Sequence, residues 1–435
     1  MTSATSARAL GAALAIFISY TSILSIGYGL LGLKGSSIIT GSVLAGSLVS
    51  VFLLSIRTFS HLLPIDLLFC GLVAVVTLST VINDAPEISE LLLLAASMFA
   101  YVACRSISME SLYAFLPSFK RTTGIVVAVG VAFTLATLLY GRINLGRPVV
   151  LGFSALPLHL LTSLGFLTLA LVTTDHPRAR RTAAISAATF VASAILAAAM
   201  VRYAFAALVL AMGAAALLAP KNNRWHVGVV TLALIVGTIV GMSTRSDMAK
   251  VYLGWIGEAV TGRAVLQFAA YPPVTPDAPC ANVNIHNSVQ VRKYLAKEAL
   301  AKIPDAGPIG AGLESFSRSS CLKQYQVHNS VLQTLVEFGW LGGSIFVALI
   351  GCAIIGLLPT APHYGPARFL LAGLIFAVLM SLAHGQISRD GILFAFLGCA
   401  VGVSRTAKKL EFAEGKPASI RAVVSHWLRL SARRR

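Results

Sequence analysis

Charged side chains are scarce in this 435-residue chain: Asp, Glu, Lys and Arg make up 11% of it, whereas hydrophobic residues make up 57%. Soluble globular domains carry about 25% charged residues, so the composition excludes a soluble protein of this size. Acidic residues are scarcer than basic ones, with 16 Asp and Glu against 34 Lys and Arg. A basic excess can indicate nucleic acid binding. Here the apolar runs leave no soluble domain to bind it, so we expect a membrane protein.

Most of the sequence consists of long apolar runs. Because about 20 apolar residues cross the hydrocarbon core as a helix, the sequence predicts an all-α polytopic fold of about twelve transmembrane helices. The predicted spans are 9–33, 37–56, 62–82, 87–104, 122–140, 155–174, 182–200, 203–220, 226–243, 329–358, 367–384 and 390–404. They divide the chain into nine spans (1–243), a large loop (244–328), three more spans (329–404) and a basic tail (405–435).

The basic residues predict the orientation. Lys and Arg collect in the short cytoplasmic segments of membrane proteins. With the N-terminus inside, most of the 34 basic residues fall on the cytoplasmic side. Both termini are therefore predicted to be cytoplasmic, with the loop 244–328 on the opposite side. The tail 405–435 is predicted to contact anionic lipid headgroups.

Cysteine is also sparse, with six residues. Four of them fall within or at the ends of predicted spans, where a free Cys behaves as a small apolar residue. Cys280 and Cys321 lie in the outer loop. If that side is oxidising, the two form a disulfide, which would stabilise the loop by about 3 to 4 kcal/mol. Two unpaired thiols are the alternative.

The outer loop carries regular structure. Apolar residues recur at helical spacing from Ser288 to Ile303, with basic residues beside them. This pattern predicts an amphipathic helix near the membrane surface, whose apolar positions are Val291, Leu295, Ala299, Leu300 and Ile303. The glycines between Gly307 and Gly312 predict a flexible turn after it.

One motif follows the loop. His328-Asn329-Ser330 opens an apolar segment, and a Gly-x-x-Gly element, Gly339 to Gly342, follows about eleven residues later. This pattern resembles the signature of the O-antigen ligase and polymerase superfamily. A second His-Asn-Ser, at 286–288, is followed by the Arg292 helix and not by a span, so we place the family histidine at His328.

The resemblance extends upstream over roughly 202–343. Arg292 is followed by an apolar helix and then by a Pro-x-Gly-x-Gly-x-x-x-Phe element, which runs from Pro308 to Phe316. Arg202, before an Ala and Leu run, is similar to the family's other functional arginine. The resemblance implies a glycosyltransferase type C-like fold with a periplasmic catalytic loop. It also implies His328, Arg292 and Arg202 as catalytic residues, with no metal and no cofactor.

The chemistry of these residue types agrees with those roles. A neutral His accepts a proton near neutral pH, which suits a general base. Arginines bind phosphate oxygens bidentately, and the outer carboxylates form no compact metal-ligand motif. Three further arginines, in short outer turns, are weaker candidates for binding the substrate, with snorkelling towards headgroups as the alternative: Arg142, Arg147 and Arg389.

The neighbours of the key residues carry structural predictions. Asn329 and Ser330 are expected to cap the next helix, and Asp390 is expected to form an ion pair with Arg389. Glu337 is expected to lie too deep in its span to share a site with His328.

The resemblance predicts an O-antigen ligase of the bacterial inner membrane. Its donor would be a glycan on undecaprenyl diphosphate and its acceptor a sugar hydroxyl of lipid A-core, with membrane lipids as surroundings. An O-antigen or exopolysaccharide polymerase is the alternative within the same family. A twelve-span transporter or flippase is the alternative of another class, and it predicts charged residues at mid-membrane and a duplicated half.

Overall fold

The computed structural model describes residues 3–55, 62–83, 87–140, 143–144, 147–174, 178–199, 203–245, 288–322 and 325–414. The regular structure of the described chain is helical apart from an isolated bridge between Val150 and Phe153 and one short hairpin, formed by β1 (Ile143–Asn144) and β2 (Arg147–Pro148). A 3-10 turn covers Ile387–Arg389. The helices are α1 (Ser3–Leu31), α2 (Ser37–Ser55), α3 (Pro64–Ile82), α4 (Ile88–Arg105), α5 (Met109–Tyr140), α6 (Leu156–Thr174), α7 (Ala179–Ala198), α8 (Tyr203–Leu218), α9 (Lys221–Ser243), α10 (Ser288–Ala306), α11 (Ser315–Ser319), α12 (Ser330–Glu337), α13 (Gly339–Leu357), α14 (Gly365–His384) and α15 (Gly391–Glu414).

Ten of the described helices are long and apolar enough to cross a membrane. This confirms the predicted polytopic helical architecture. Helices occupy all twelve predicted positions, but two of them are shorter than a full span: α8 has 16 residues, and the apolar part of α15 ends at Ser404. The helix α15 itself continues to Glu414, so the start of the predicted tail is helical. Residues 415–435 lie outside the described part of the chain.

The helices pack closely where small residues face a neighbour. The pairs α7 with α9 and α4 with α15 are the most extensively packed. On α9, a Cβ added to Gly237 or Gly241 would overlap the backbone of α7. Close backbone approach of this kind is how small residues stabilise helix association in membranes, because it increases van der Waals contact.

A buried ion pair joins α3 to α4 at the end of the bundle where α4 terminates. The Asp66 carboxylate accepts hydrogen bonds from the Arg105 guanidinium (2.5 Å), the Tyr101 hydroxyl (2.9 Å) and the Leu63 amide (2.7 Å). Both charged side chains are buried. Asp66 is the third residue of α3, so it lies at a helix end and is fully engaged in structure. Asp66 therefore does not provide the charge at mid-membrane that a transporter predicts.

The predicted loop helix is confirmed as α10, Ser288–Ala306. Val291, Leu295 and Ala299 are buried, and their face packs on α12 and the residues before it. Leu300 is 55% exposed, so it lies outside the part of the helix that packs on protein. The apolar face is therefore covered by protein, which seats α10 on the bundle.

The predicted single span 329–358 is wrong, because the helix breaks between α12 and α13. Gly339 adopts a positive φ of 70° at the break, a conformation that glycine reaches without steric cost. Such a break leaves backbone groups without helical partners. The turn that follows α10 satisfies several of them: the Gly312 amide donates to the Glu337 carbonyl (2.9 Å), and the Trp340 amide donates to the Gly307 carbonyl (3.0 Å).

The turn 307–312 is consequently docked, and the prediction of a flexible turn was wrong. Gly310 has a φ of 83°, and a Cβ there would overlap the backbone of Glu337 and Gly339. The Pro-x-Gly-x-Gly element thus has a structural reason in this chain, since its glycines let the loop backbone lie directly against the α12–α13 break.

Candidate active site

A cavity of about 480 Å³ opens at the end of the bundle where α4, α6 and α15 begin and α14 ends. One part of its wall is apolar and reaches inwards along α1, α4, α6 and α14; it includes Phe17, Leu93, Phe166 and Met380. The other part is polar and lies at the helix ends; it includes His159, Tyr203, His328, His384, Arg389 and Asp390. The arrangement suits an amphiphilic molecule with a polar head and an apolar portion.

His328 stands on this wall in an unusual backbone conformation. Its φ is 55°, in the left-handed region. Non-glycine residues adopt this region uncommonly, at some cost in free energy, and such residues cluster at functional sites. The conformation directs the chain from the loop into α12, and the His328 side chain is partly buried beside the cavity.

The next residue anchors this turn. The Asn329 side-chain oxygen accepts hydrogen bonds from the Val331 amide (3.1 Å) and the Leu332 amide (3.0 Å). This confirms the predicted N-cap, which satisfies amides at the start of α12 that have no helical partner.

We expect Asn329→Ala to lower the free energy of unfolding by about 1 kcal/mol, because two amides lose their acceptor. Asn329→Asp retains a cap oxygen and is the matched control. Denaturant titration of the purified protein in detergent measures both. Equal losses in the two variants would contradict the capping role.

Arg292 approaches His328 through a third side chain, His384. The Arg292 Nη2 atom lies 2.9 Å from His384 Nδ1, and the rings of His384 and His328 are stacked, with centroids 5.3 Å apart and planes inclined by 8°. Burial, together with the charge of Arg292, lowers the pKa of His328 to about 4. His328 is therefore neutral at pH 7 and has its proton-accepting form available.

Asp390 is the acidic group of the site. The Ser381 hydroxyl donates to Asp390 Oδ2 at 2.5 Å, and the Ser330 hydroxyl donates to the same oxygen. Burial raises the pKa of Asp390 to about 6, although these hydrogen bonds favour the ionised form. Two predictions are corrected here. Ser330 does not cap α12, because its hydroxyl is held by Asp390, and Asp390 does not pair with Arg389.

Arg389 pairs instead with Glu90 of α4, at 2.5 Å. Glu90 also accepts hydrogen bonds from the Ser388 hydroxyl (2.6 Å) and the Gln386 amide (3.2 Å). One carboxylate therefore fixes the segment between α14 and α15. The Arg389 side chain remains 58% exposed and lines the cavity, so it is available to an anionic ligand while its position is held.

The same segment is also fixed from α12. Gln333 donates to the Glu337 carboxylate (3.0 Å) and accepts from the Ile387 amide (3.0 Å). Glu337 is fully buried at the end of α12 and is not part of the cavity wall. Its carboxylate orients Gln333 within α12, and Gln333 in turn holds the Ile387 amide.

Several predicted residues lie wholly or partly outside the described structure. Arg142, Arg202 and Cys280 lie outside the described residues. Arg147 is described only as backbone in β2. Cys321 is disulfide-bonded, and its predicted pairing with Cys280 stays a prediction. Among the residues that the structure describes, no group of three or more His, Cys, Asp or Glu is arranged to hold a metal ion.

The structure thus brings together His328, Arg292 and Arg389 of the predicted set. His384, Tyr203 and Glu90 were not predicted as neighbours of the site, and the predicted partner of Asp390 was wrong. The one available signal was the density of polar residues in His384-Gly385-Gln386-Ile387-Ser388-Arg389-Asp390, between two apolar segments.

Comparison with known proteins does not identify the chain: no protein-family model matches it, and no curated protein sequence matches it.

Proposed function

We propose that this protein is an O-antigen ligase, a glycosyltransferase of the bacterial inner membrane that acts at the periplasmic face. In this proposal, twelve helices cross the membrane in a glycosyltransferase type C-like arrangement with both termini in the cytoplasm. The donor is a glycan on undecaprenyl diphosphate, and the acceptor is a sugar hydroxyl of lipid A-core. The observation that carries the proposal is a neutral His328, in a left-handed backbone conformation, on the wall of an amphiphilic cavity and within electrostatic reach of Arg292.

The reaction forms a bond between the acceptor oxygen and the anomeric carbon and breaks the bond from that carbon to a diphosphate oxygen. The hydroxyl proton passes to His328, and the bonding electron pair leaves with the diphosphate. Attack from the face opposite the diphosphate inverts the anomeric centre. Arg292 and Arg389 stabilise the negative charge that develops on the leaving group, which is the largest electrostatic demand of the step. Arg202, Arg142 and Arg147 are proposed to assist them.

A pKa of about 4 makes His328 a weak base in the empty site. Binding of the donor changes this, because the diphosphate neutralises the charge of Arg292, and negative charge nearby favours the protonated imidazole. The pKa of His328 therefore rises when the donor is present. The base becomes stronger at the stage of the reaction in which it is used.

A lipopolysaccharide gel tests the proposal in cells that lack the gene and are complemented with wild type or His328→Ala. We expect both the deletion and the variant to lose the O-antigen ladder, while lipid-linked polymer accumulates. His363→Ala is the matched control, because His363 is exposed and lies in the connection between α13 and α14. Single-repeat glycan on the core without a ladder would instead identify a polymerase. An unaffected ladder would remove the protein from this pathway.

The pH dependence of transfer is a second expectation. Because His328 loses its base form as the pH falls through its pKa, kcat/KM is expected to decline only near pH 4, since this parameter reports the free enzyme. The acid limb of kcat should lie higher, because the bound diphosphate raises the pKa of His328. A kcat/KM limb near pH 6 that disappears in Asp390→Asn would assign the profile to Asp390 and contradict the expectation.

A further inference from the structure

His384 takes no part in the proposed transfer step, although it contacts both Arg292 and His328. It is the last residue of α14. Its Nδ1 atom lies 2.9 Å from Arg292 Nη2, and its ring stacks on His328. A third titratable side chain thus contacts both Arg292 and His328.

The contact with Arg292 defines the state of His384. A guanidinium has five N–H donors and no acceptor, so Arg292 donates and His384 Nδ1 accepts. Nδ1 can accept only when it carries no proton, which requires the neutral tautomer with its hydrogen on Nε2. Protonation of His384 would remove the acceptor and would place a cation against both Arg292 and the His328 ring.

Tyr203 completes the support of Arg292. The Arg292 Cζ atom lies 5.2 Å from the centroid of the Tyr203 ring, within the range of a cation–π interaction. The rings of Tyr203 and His384 have centroids 5.2 Å apart. The guanidinium is therefore held by side chains from α8 and α14, two helices that pack on each other, and it does not depend on α10 alone for its position.

We propose that His384 is a positioning residue of the transfer site: in its neutral form it accepts a hydrogen bond from Arg292 and so holds the guanidinium beside His328. The inference depends on the proposed function only for the reaction that the pair serves. The positioning itself is a property of the four side chains. The charged and titratable groups that face His384, directly or across the cavity, are Arg292, Tyr203, His328, His159, Arg389 and Asp390.

Two substitutions separate the functions of the ring. His384→Phe keeps an aromatic face for His328 and loses the acceptor, whereas His384→Asn loses the ring and keeps an acceptor oxygen near the position of Nδ1. The exposed His363→Phe is the matched control. The first readout is the rate at which diethyl pyrocarbonate modifies His328, followed by mass spectrometry as a function of pH, because only the neutral imidazole reacts.

We expect His384→Phe to raise the pH midpoint of His328 modification by about one unit. Without its acceptor, the Arg292 guanidinium moves away from His328 and no longer disfavours the protonated imidazole. His384→Asn and His363→Phe should keep the wild-type midpoint. In the transfer assay, His384→Phe should lower kcat about 10-fold to 100-fold, since a misplaced binding group misaligns the reacting atoms. His384→Asn should restore most of that loss.

An unchanged midpoint in His384→Phe, or the same shift in His384→Asn, would overturn the proposal. If His384→Phe folds, combining it with Arg292→Gln should give no further shift, and additive shifts would overturn the proposal. If His384→Phe does not fold, Arg292→Gln alone supplies the comparison, because it should raise the midpoint by the same amount, and an unchanged midpoint there would overturn the proposal. If His384→Phe shifts the midpoint but the wild-type protein shows no transfer activity, the positioning role is upheld and the proposed reaction is rejected.

Discussion

His328→Ala is expected to lower the rate of glycan transfer by about 10²-fold to 10⁴-fold, the range that general bases contribute. The expectation follows from the position of His328 on the cavity wall and from its neutral state at pH 7. Without the imidazole, the acceptor hydroxyl has to lose its proton to water. The donor should still bind, because Arg292 and Arg389 belong to other elements, so the loss should fall on kcat and leave KM for the donor little changed.

The measurement is single-turnover transfer from a labelled lipid-linked glycan to purified lipid A-core in detergent or liposomes. His363→Ala should match wild type. His328→Ala must also unfold at the same denaturant concentration as wild type, so that a folding defect is excluded. A variant that keeps more than about a tenth of the wild-type rate would contradict the role of general base.

Asp66→Ala is expected to destabilise the protein by about 3 to 5 kcal/mol, because it leaves the Arg105 guanidinium buried without its counter-ion. Both side chains are largely withdrawn from the surface, at 6% and 3% exposure. The same substitution also removes the acceptor for the Tyr101 hydroxyl and the Leu63 amide. The effect is on folding, because the pair lies at the end of α4 opposite the cavity.

A double variant distinguishes the cost of an unpaired buried charge from the loss of the ion pair itself. Asp66→Leu combined with Arg105→Met replaces both charges with apolar groups of similar size, and it should recover most of the stability that Asp66→Ala loses. Denaturant titration in detergent measures all three proteins. A single Asp66→Ala variant as stable as wild type would show that Arg105 is not dependent on this carboxylate.

The helical bundle was predictable from the sequence because lipid imposes a simple condition. A chain in hydrocarbon satisfies its backbone hydrogen bonds internally, so each span appears as a run of apolar residues. The helices α3, α4 and α6 begin and end within two residues of the predicted positions for this reason. The break at Gly339 was missed because the apolar run continues through it. The groups that stabilise the break come from the turn 307–312, which lies outside that apolar run.

The candidate site was predictable only in part. His328 and Asn329 are adjacent to each other and to the start of a helix, so local chemistry was enough to predict the cap. Asp390 was assigned to Arg389 because the two are neighbours in sequence, yet successive residues at a helix start point in different directions. In the folded chain Arg389 meets Glu90, and Asp390 meets Ser330 and Ser381.

The amino-acid sequence was sufficient to predict a polytopic membrane protein, the positions of most of its helices, the amphipathic helix that carries Arg292, and the capped turn at His328. All of these depend on composition or on residues within a few positions of one another. The tertiary structure alone decided that His384, 92 residues from Arg292, lies against it, and that Asp390, 60 residues from Ser330, accepts its hydroxyl proton in a hydrogen bond. The physical reason is that periodicity specifies which face of a helix is apolar, whereas the partner of a polar side chain at a helix end depends on which helix ends the packing brings together.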